Sequence, residues 1–127
     1  MPEKHLYEYA VIRVLPAVER EEFLNAGVIL FSKRAKFIRV HLHLDENKLK
    51  CFAGEADPEQ IRLNLQSFEK IAMGDKQGGP IAAFELADRF RWLTAVRSSV
   101  IQTSRPHPGL CSDLEHTARR LFEELVL

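Results

Sequence analysis

The chain has 127 residues, 46% of them hydrophobic and 28% charged, the composition of an ordinary folded domain, which excludes disordered, collagen-like and coiled-coil chains. Eighteen basic residues balance eighteen acidic ones, so there is no whole-molecule field to attract nucleic acid or an anionic membrane, and any anion site has to be local. No apolar run approaches the roughly 18 residues of a membrane span, and Cys51 and Cys111 are too few for a disulfide framework.

The length predicts a single domain. Residues 1–5 are polar and lead straight into a strand pattern rather than a signal-peptide core, so a cytoplasmic protein with both thiols reduced is expected. Residues 7–15 alternate, with Tyr7, Tyr9, Val11, Arg13 and Leu15 on one face and Glu8, Ala10, Ile12 and Val14 on the other. That is a strand largely apolar on both faces, stopped by Pro16. The charged residues 19–22 belong to a connection. Residues 27–31 form a continuous apolar run, as in a central strand covered from both sides. After a turn at 33–36, residues 37–44 alternate again. Ile38, Val40, Leu42 and Leu44 are expected inside, and Phe37, Arg39, His41 and His43 are expected to face solvent or a partner.

Beyond Asp45 the period changes. Asp57 followed by Pro58 and Gln60 is a helix start, Ile61, Leu65, Phe68 and Ala72 form its apolar stripe, and Gly74 stops it. Residues 75–80 read as a polar loop. Leu86, Phe90 and Leu93 mark a second helix, residues 99–103 a short fourth strand, and residues 105–109, with two prolines and a glycine, a loop. Ser112 and Glu115 form a capping box for a last helix lined by Leu114, Ala118, Leu121 and Leu125. The expected fold is α+β, an antiparallel sheet of about four strands with helices packed on one face.

Two stretches carry more polar specificity than such a fold requires, residues 20–29 and residues 89–111. In the second, Arg89, Arg91, Arg97 and Arg105 occur with no acidic residue among them. Guanidinium forks suit phosphate or carboxylate, and Ser98, Ser99 and Gln102 add neutral hydrogen-bonding groups. The sequence order permits Arg89, Arg91, Arg97, Gln102 and His107 to converge on one anion- or partner-binding concavity near the start of the last helix. The alternative is that Arg89 and Arg91 pair along a helix with Glu85 and Asp88. Together the two stretches resemble the bacterial domain-of-unknown-function family 3037, over nearly the whole chain. That resemblance implies a small cytoplasmic bacterial protein, with a HipA-like kinase as partner and a toxin–antitoxin setting, and it assigns no catalytic residue.

Cys111 precedes the last helix, where amide dipoles favour a thiolate, and His107 four residues upstream is a candidate base. Glu22 and Asn25, with Glu21, are secondary acid–base candidates, against the simpler reading of a solvated turn. His41 and His43 share a strand face, but His5 and Asp45, the nearest further ligands, have no reason to converge, so no metal and no cofactor is expected. The single Trp92 lacks an aromatic ladder on a basic strand, so nucleic-acid binding is weakly supported. The leading expectation is an accessory or interaction protein. The second is a small enzyme or ligand-binding domain for a phosphorylated or nucleotidyl substrate, with the arginines holding the anion and His107 or Glu22 moving a proton.

Overall fold

In the computed structural model, which describes residues 4–16, 20, 22–52, 56–95 and 99–127, the first alternating segment is β1 (His5–Val14). Its neighbours are β2 (Leu24–Ser32) and, beyond that, β3 (Phe37–Leu42), both antiparallel. The register places Ala10 opposite Ile29 and Ile29 opposite Val40, while Tyr9 faces Leu30 and Leu30 faces Arg39. Because side chains alternate across a strand, these two rows lie on opposite faces of the sheet. Both rows are covered. Ala10, Ile12, Val14, Ile29, Phe31, Ile38 and Val40 enter one core, and Tyr7, Val28 and Leu30 enter a second.

The first core is closed by three helices. The first of them, α1 (Glu46–Phe52), has no counterpart in the sequence reading; Asp45 caps it, its Oδ1 accepting from the Lys48 N–H at 3.0 Å, and Leu49 is its buried anchor. In α2 (Pro58–Ala72), Asp57 Oδ1 accepts from the Glu59 N–H at 3.0 Å, Pro58 opens the first turn, and Ile61, Leu65, Phe68 and Ala72 are buried. Two 3-10 turns, Lys76–Gly78 and Pro80–Ala83, lead into α3 (Leu86–Thr94), whose Phe90 ring stacks on Phe31 with centroids 4.8 Å apart.

The second core is closed by α4 (Leu114–Leu125), and here the expectation of helices on one face is corrected. Leu114, Ala118, Leu121 and Phe122 pack on Tyr7, Val28 and Leu30. Phe37, Arg39 and His41, expected to face solvent or a partner, lie on the face that α4 of the same chain covers: Phe37 joins the core, Arg39 pairs with Glu115, and His41 stacks on Phe122 at 5.3 Å. The physical reason is that β1 and β2 are apolar on both faces, and a single helical layer leaves one of them wet. The cap of α4 is Asp113, accepting from the His116 N–H at 3.0 Å, one residue after the Ser112 of the expected capping box.

The remaining edge of β1 is shared. β4 (Ile101–Thr103) pairs with Ile12–Val14, and β5 (His107–Cys111) pairs with His5–Tyr9, so the sheet has five strands and the expected proline loop is a strand. Between them Ser104 keeps the ladder continuous. Its N–H donates to the Val11 carbonyl at 2.8 Å, and its Oγ accepts from the Val11 N–H at 2.8 Å, standing in for a backbone carbonyl. Val11 therefore turns its polar groups toward this edge, and by the period of two so do Tyr9 and Tyr7. Their partners His107 and Gly109 face inward, and Pro108 falls at an outward position where a missing N–H breaks no ladder bond. Gly109 is needed for a different reason: the Tyr7 ring lies across it, and a Cβ would collide with the phenol. No helix among the described residues is long and apolar enough to cross a membrane.

The two-sided core makes a direct prediction. Phe68→Ala and Leu121→Ala should each cost about 3 kcal/mol in urea melts through lost burial and cavity formation. Since the two side chains lie on opposite faces with no shared partners, the double variant should show the sum.

Candidate functional site

Residues 64, 67, 68 and 71 of α2 follow the spacing that places side chains on one helical flank. Phe68 turns from this flank into the core, while Asn64, Ser67 and Ile71 look toward α3 and β4. There, Trp92, Leu93 and the segment 99–102 complete a cleft of about 330 Å³. It carries no acidic or basic side chain among its described lining residues. Its polar groups are held in place: Gln102 Nε2 donates to the Ser99 carbonyl at 2.9 Å, Ser99 Oγ donates to the Ile101 carbonyl at 2.5 Å, and Asn64 Oδ1 accepts from Gln60 Nε2 at 3.3 Å. Gln102 is thus the one residue of the expected concavity that the structure places here.

The other members that are described lie elsewhere. Arg97 is outside the described residues. Arg89 folds back on the connection before its own helix, its Nη1 donating to the carbonyls of Ala82 at 3.4 Å and Phe84 at 3.3 Å. The guanidinium passes directly over Gly74, which ends α2 with φ +72° and has no side chain to block it. Arg91 is exposed. Two residues along a helix turn by roughly 200°, so Arg89 and Arg91 leave opposite flanks of α3. His107 sits beside Tyr9, ring centroids 5.3 Å apart, on the sheet face that belongs to α4 rather than α3. The structure therefore does not bring Arg89 and His107 together, and Arg89 serves as a tie between the end of α2 and the 3-10 turn.

The secondary candidates are also placed. Four residues of strand separate His107 from Cys111 by roughly 13 Å, too far for a nucleophile and its base. Cys111 lies instead opposite His5, half-buried, and both it and the exposed Cys51 are free thiols. Glu22 pairs with Arg20 at 2.7 Å on the surface, and Glu21 is outside the described residues. Asn25 Nδ2 donates to the Leu125 carbonyl at 3.1 Å, tying β2 to the last turn of α4. Asp45 is a helix cap, His43 follows the end of β3, and among the described residues no three His, Cys, Asp or Glu side chains gather closely enough to hold a metal ion.

The family model described as Protein of unknown function (DUF3037) matches residues 9–126, nearly the whole chain. The chain belongs to that family. No curated protein and no solved structure shows significant similarity to it. The matched span of this DUF3037 chain runs from within β1 to just beyond α4, so it contains the cleft and both helical layers. Sequence reasoning passed over the cleft because Trp92 reads as packing and only the core stripe of α2, not its flank with Asn64 and Ser67, is singled out. The available signal was their position beside Phe68 on one flank.

Two predictions follow from these placements. Arg89→Ala should lower stability by about 1.5 kcal/mol in urea melts, because two backbone carbonyls lose a charged donor. His41 should make stability pH-dependent. Burial against Phe122 pulls its imidazole below the ordinary 6.5; Arg119 and Arg39 add to this, Glu115 and Glu69 oppose it, and Nε2 is buried without a hydrogen-bond partner. The unfolded chain then binds the proton more readily than the folded one. The stabilising contribution is present above about pH 6.5 and is lost as pH falls below it. Urea melts at about pH 7.5 and 5.5 should show this fall, and His41→Phe should flatten it.

Proposed function

We propose that this DUF3037 chain is a non-catalytic accessory protein of the cytoplasm that works by binding a protein partner. The resemblance noted in the sequence makes a HipA-like kinase the first partner to test. The observation that carries the reading is a pair of leucines at the outer edge of the sheet. Leu6 and Leu110 are direct cross-strand partners on β1 and β5, and they are 59% and 64% exposed. Two large apolar side chains side by side on a rigid two-strand frame form a preformed contact, and covering them recovers about 25 cal/mol for each Å² removed from water. Pro108, at an outward position of the same strand, denies an incoming strand a hydrogen bond, so the edge favours side-chain docking over sheet extension. The separation of His107 from Cys111 supports binding over catalysis.

Co-expression with the kinase followed by size-exclusion chromatography tests this. Wild-type protein should co-elute, and the double variant Leu6→Ser with Leu110→Ser should elute alone while its stability changes by less than about 0.5 kcal/mol per site. If wild type never co-elutes and kinase activity is unaffected, the kinase is not the partner. Co-elution that survives the double substitution places the contact away from this edge.

The second reading, a ligand-binding domain for a phosphorylated or nucleotidyl substrate, is favoured in its ligand-binding part by the cleft between α2, α3 and β4.

A further inference from the structure

We infer that the Leu6–Leu110 contact extends onto the turn at residues 33–36 and takes an acidic amphipathic helix of a protein partner, its apolar stripe on the leucines and its carboxylates on Lys33, Arg34 and Lys36. The inference rests on the proposed reading of the leucine pair as a docking contact and adds the chemistry of what docks there. The turn lies beside the pair. It leaves the sheet at Ser32, the last residue of β2, whose Oγ donates to the Leu6 carbonyl at 2.8 Å. It is closed by the Lys36 N–H donating to the Lys33 carbonyl at 3.2 Å, with Lys36 at φ +52°. Three cations are thus held on one tight hairpin turn next to Leu6.

Charge decides the sign of the occupant. Lys33, Arg34 and Lys36 are exposed, and among the described residues none of them joins an ion pair, as Arg39, Arg62 and Arg119 do. Glu8, two residues along β1 from Leu6 and on the same face, is half-buried and is the one acidic residue of that strand, so the cations outnumber it. In a chain of zero net charge this is a local positive rim beside an apolar pair. A basic partner would be repelled there. An uncharged one would cover the cations without pairing them, whereas carboxylates at the rim pair with them and speed the encounter. Geometry decides the form. Because Val11 turns its polar groups toward β4 and β5, and by the period of two Tyr7 does so too, Leu6 and Leu110 form a pair without mutual hydrogen bonds, their Cα atoms about 4.5 Å apart. Apolar side chains at i and i+4 of a helix stand about 5–6 Å apart, which matches that pair. Pro108 withholds one of the edge hydrogen bonds that an added strand needs.

Fluorescence anisotropy of the full chain with labelled helical peptides, which share one leucine stripe and carry either glutamates or lysines around it, tests this. The glutamate peptide should bind saturably, with Kd below about 100 μM at about 50 mM salt and about tenfold weaker at about 500 mM. The lysine peptide should not bind. The triple variant Lys33→Ser, Arg34→Ser and Lys36→Asn should weaken binding by about tenfold, asparagine being chosen because it tolerates the positive φ at position 36. Leu6→Ser with Leu110→Ser should weaken it at least as much, and circular dichroism should show both variants folded. If the turn variant binds like wild type while the leucine variant does not, or if the lysine peptide binds as well as the glutamate one, the charge assignment is overturned and the leucine contact stands. If the leucine variant binds like wild type, the inference falls together with its leucine contact. No saturation with the glutamate peptide up to about 1 mM overturns the inference, and co-elution of the leucine variant then judges the docking contact separately. Binding to phosphatidylglycerol vesicles about tenfold tighter than to the peptide overturns it in favour of a lipid surface.

Discussion

Tyr7, Tyr9 and Val11 leave one side of β1 while Ala10, Ile12 and Val14 leave the other, and nearly all of them need shelter from water. A strand of that kind cannot stand at the surface of a two-layer sandwich. It requires paired strands on both edges and helices on both faces, and the rest of the molecule supplies them in turn. β2 and β3 extend one edge, β4 and β5 divide the other, α1 to α3 cover one face and α4 the opposite one. Even the polar ties serve this arrangement: Asn25 fixes α4 to β2, and Arg39 meets Glu115 across the layer.

The divided edge shapes both candidate surfaces. β4 is only three residues long, and residues 99–102 line the cleft together with α2 and α3. Ser104 absorbs the change of register with its own hydroxyl, and β5 then runs out along β1 to the Leu6–Leu110 pair. The same divided edge thus carries β4 beside the cleft and β5 beneath the Leu6–Leu110 pair.

Much of this was legible in the chain itself. The Asp57–Pro58 start and the Gly74 stop of α2, the continuous apolar run of β2 and the two-faced pattern of β1 are local signals whose physics does not depend on context. α1 was missed because a helix of two turns, in which Leu49 is the buried residue among the described side chains, has almost no periodicity to detect. β5 was missed because two prolines argue against a strand unless an edge is known, and an edge is a tertiary fact. The candidate site was the least legible part. Arg89 and Arg91, neighbours in sequence, are spread by the rotation of α3, and a histidine four residues from a cysteine is close on a helix and remote on a strand. The segment turned out to be the second of these.

The pairing of Val11 with Ser104 spans 93 residues. During synthesis β1 emerges early, but its outer edge stays unpaired until the segment that forms β4 and β5 has been made. Such distant pairing delays folding, and an open apolar strand edge invites association with other chains meanwhile. The nascent protein therefore carries one edge of an apolar strand uncovered until residues 101–111 have been made. Its yield in cells should depend on how quickly the C-terminal segment is delivered, and on chaperones that shield the strand until then.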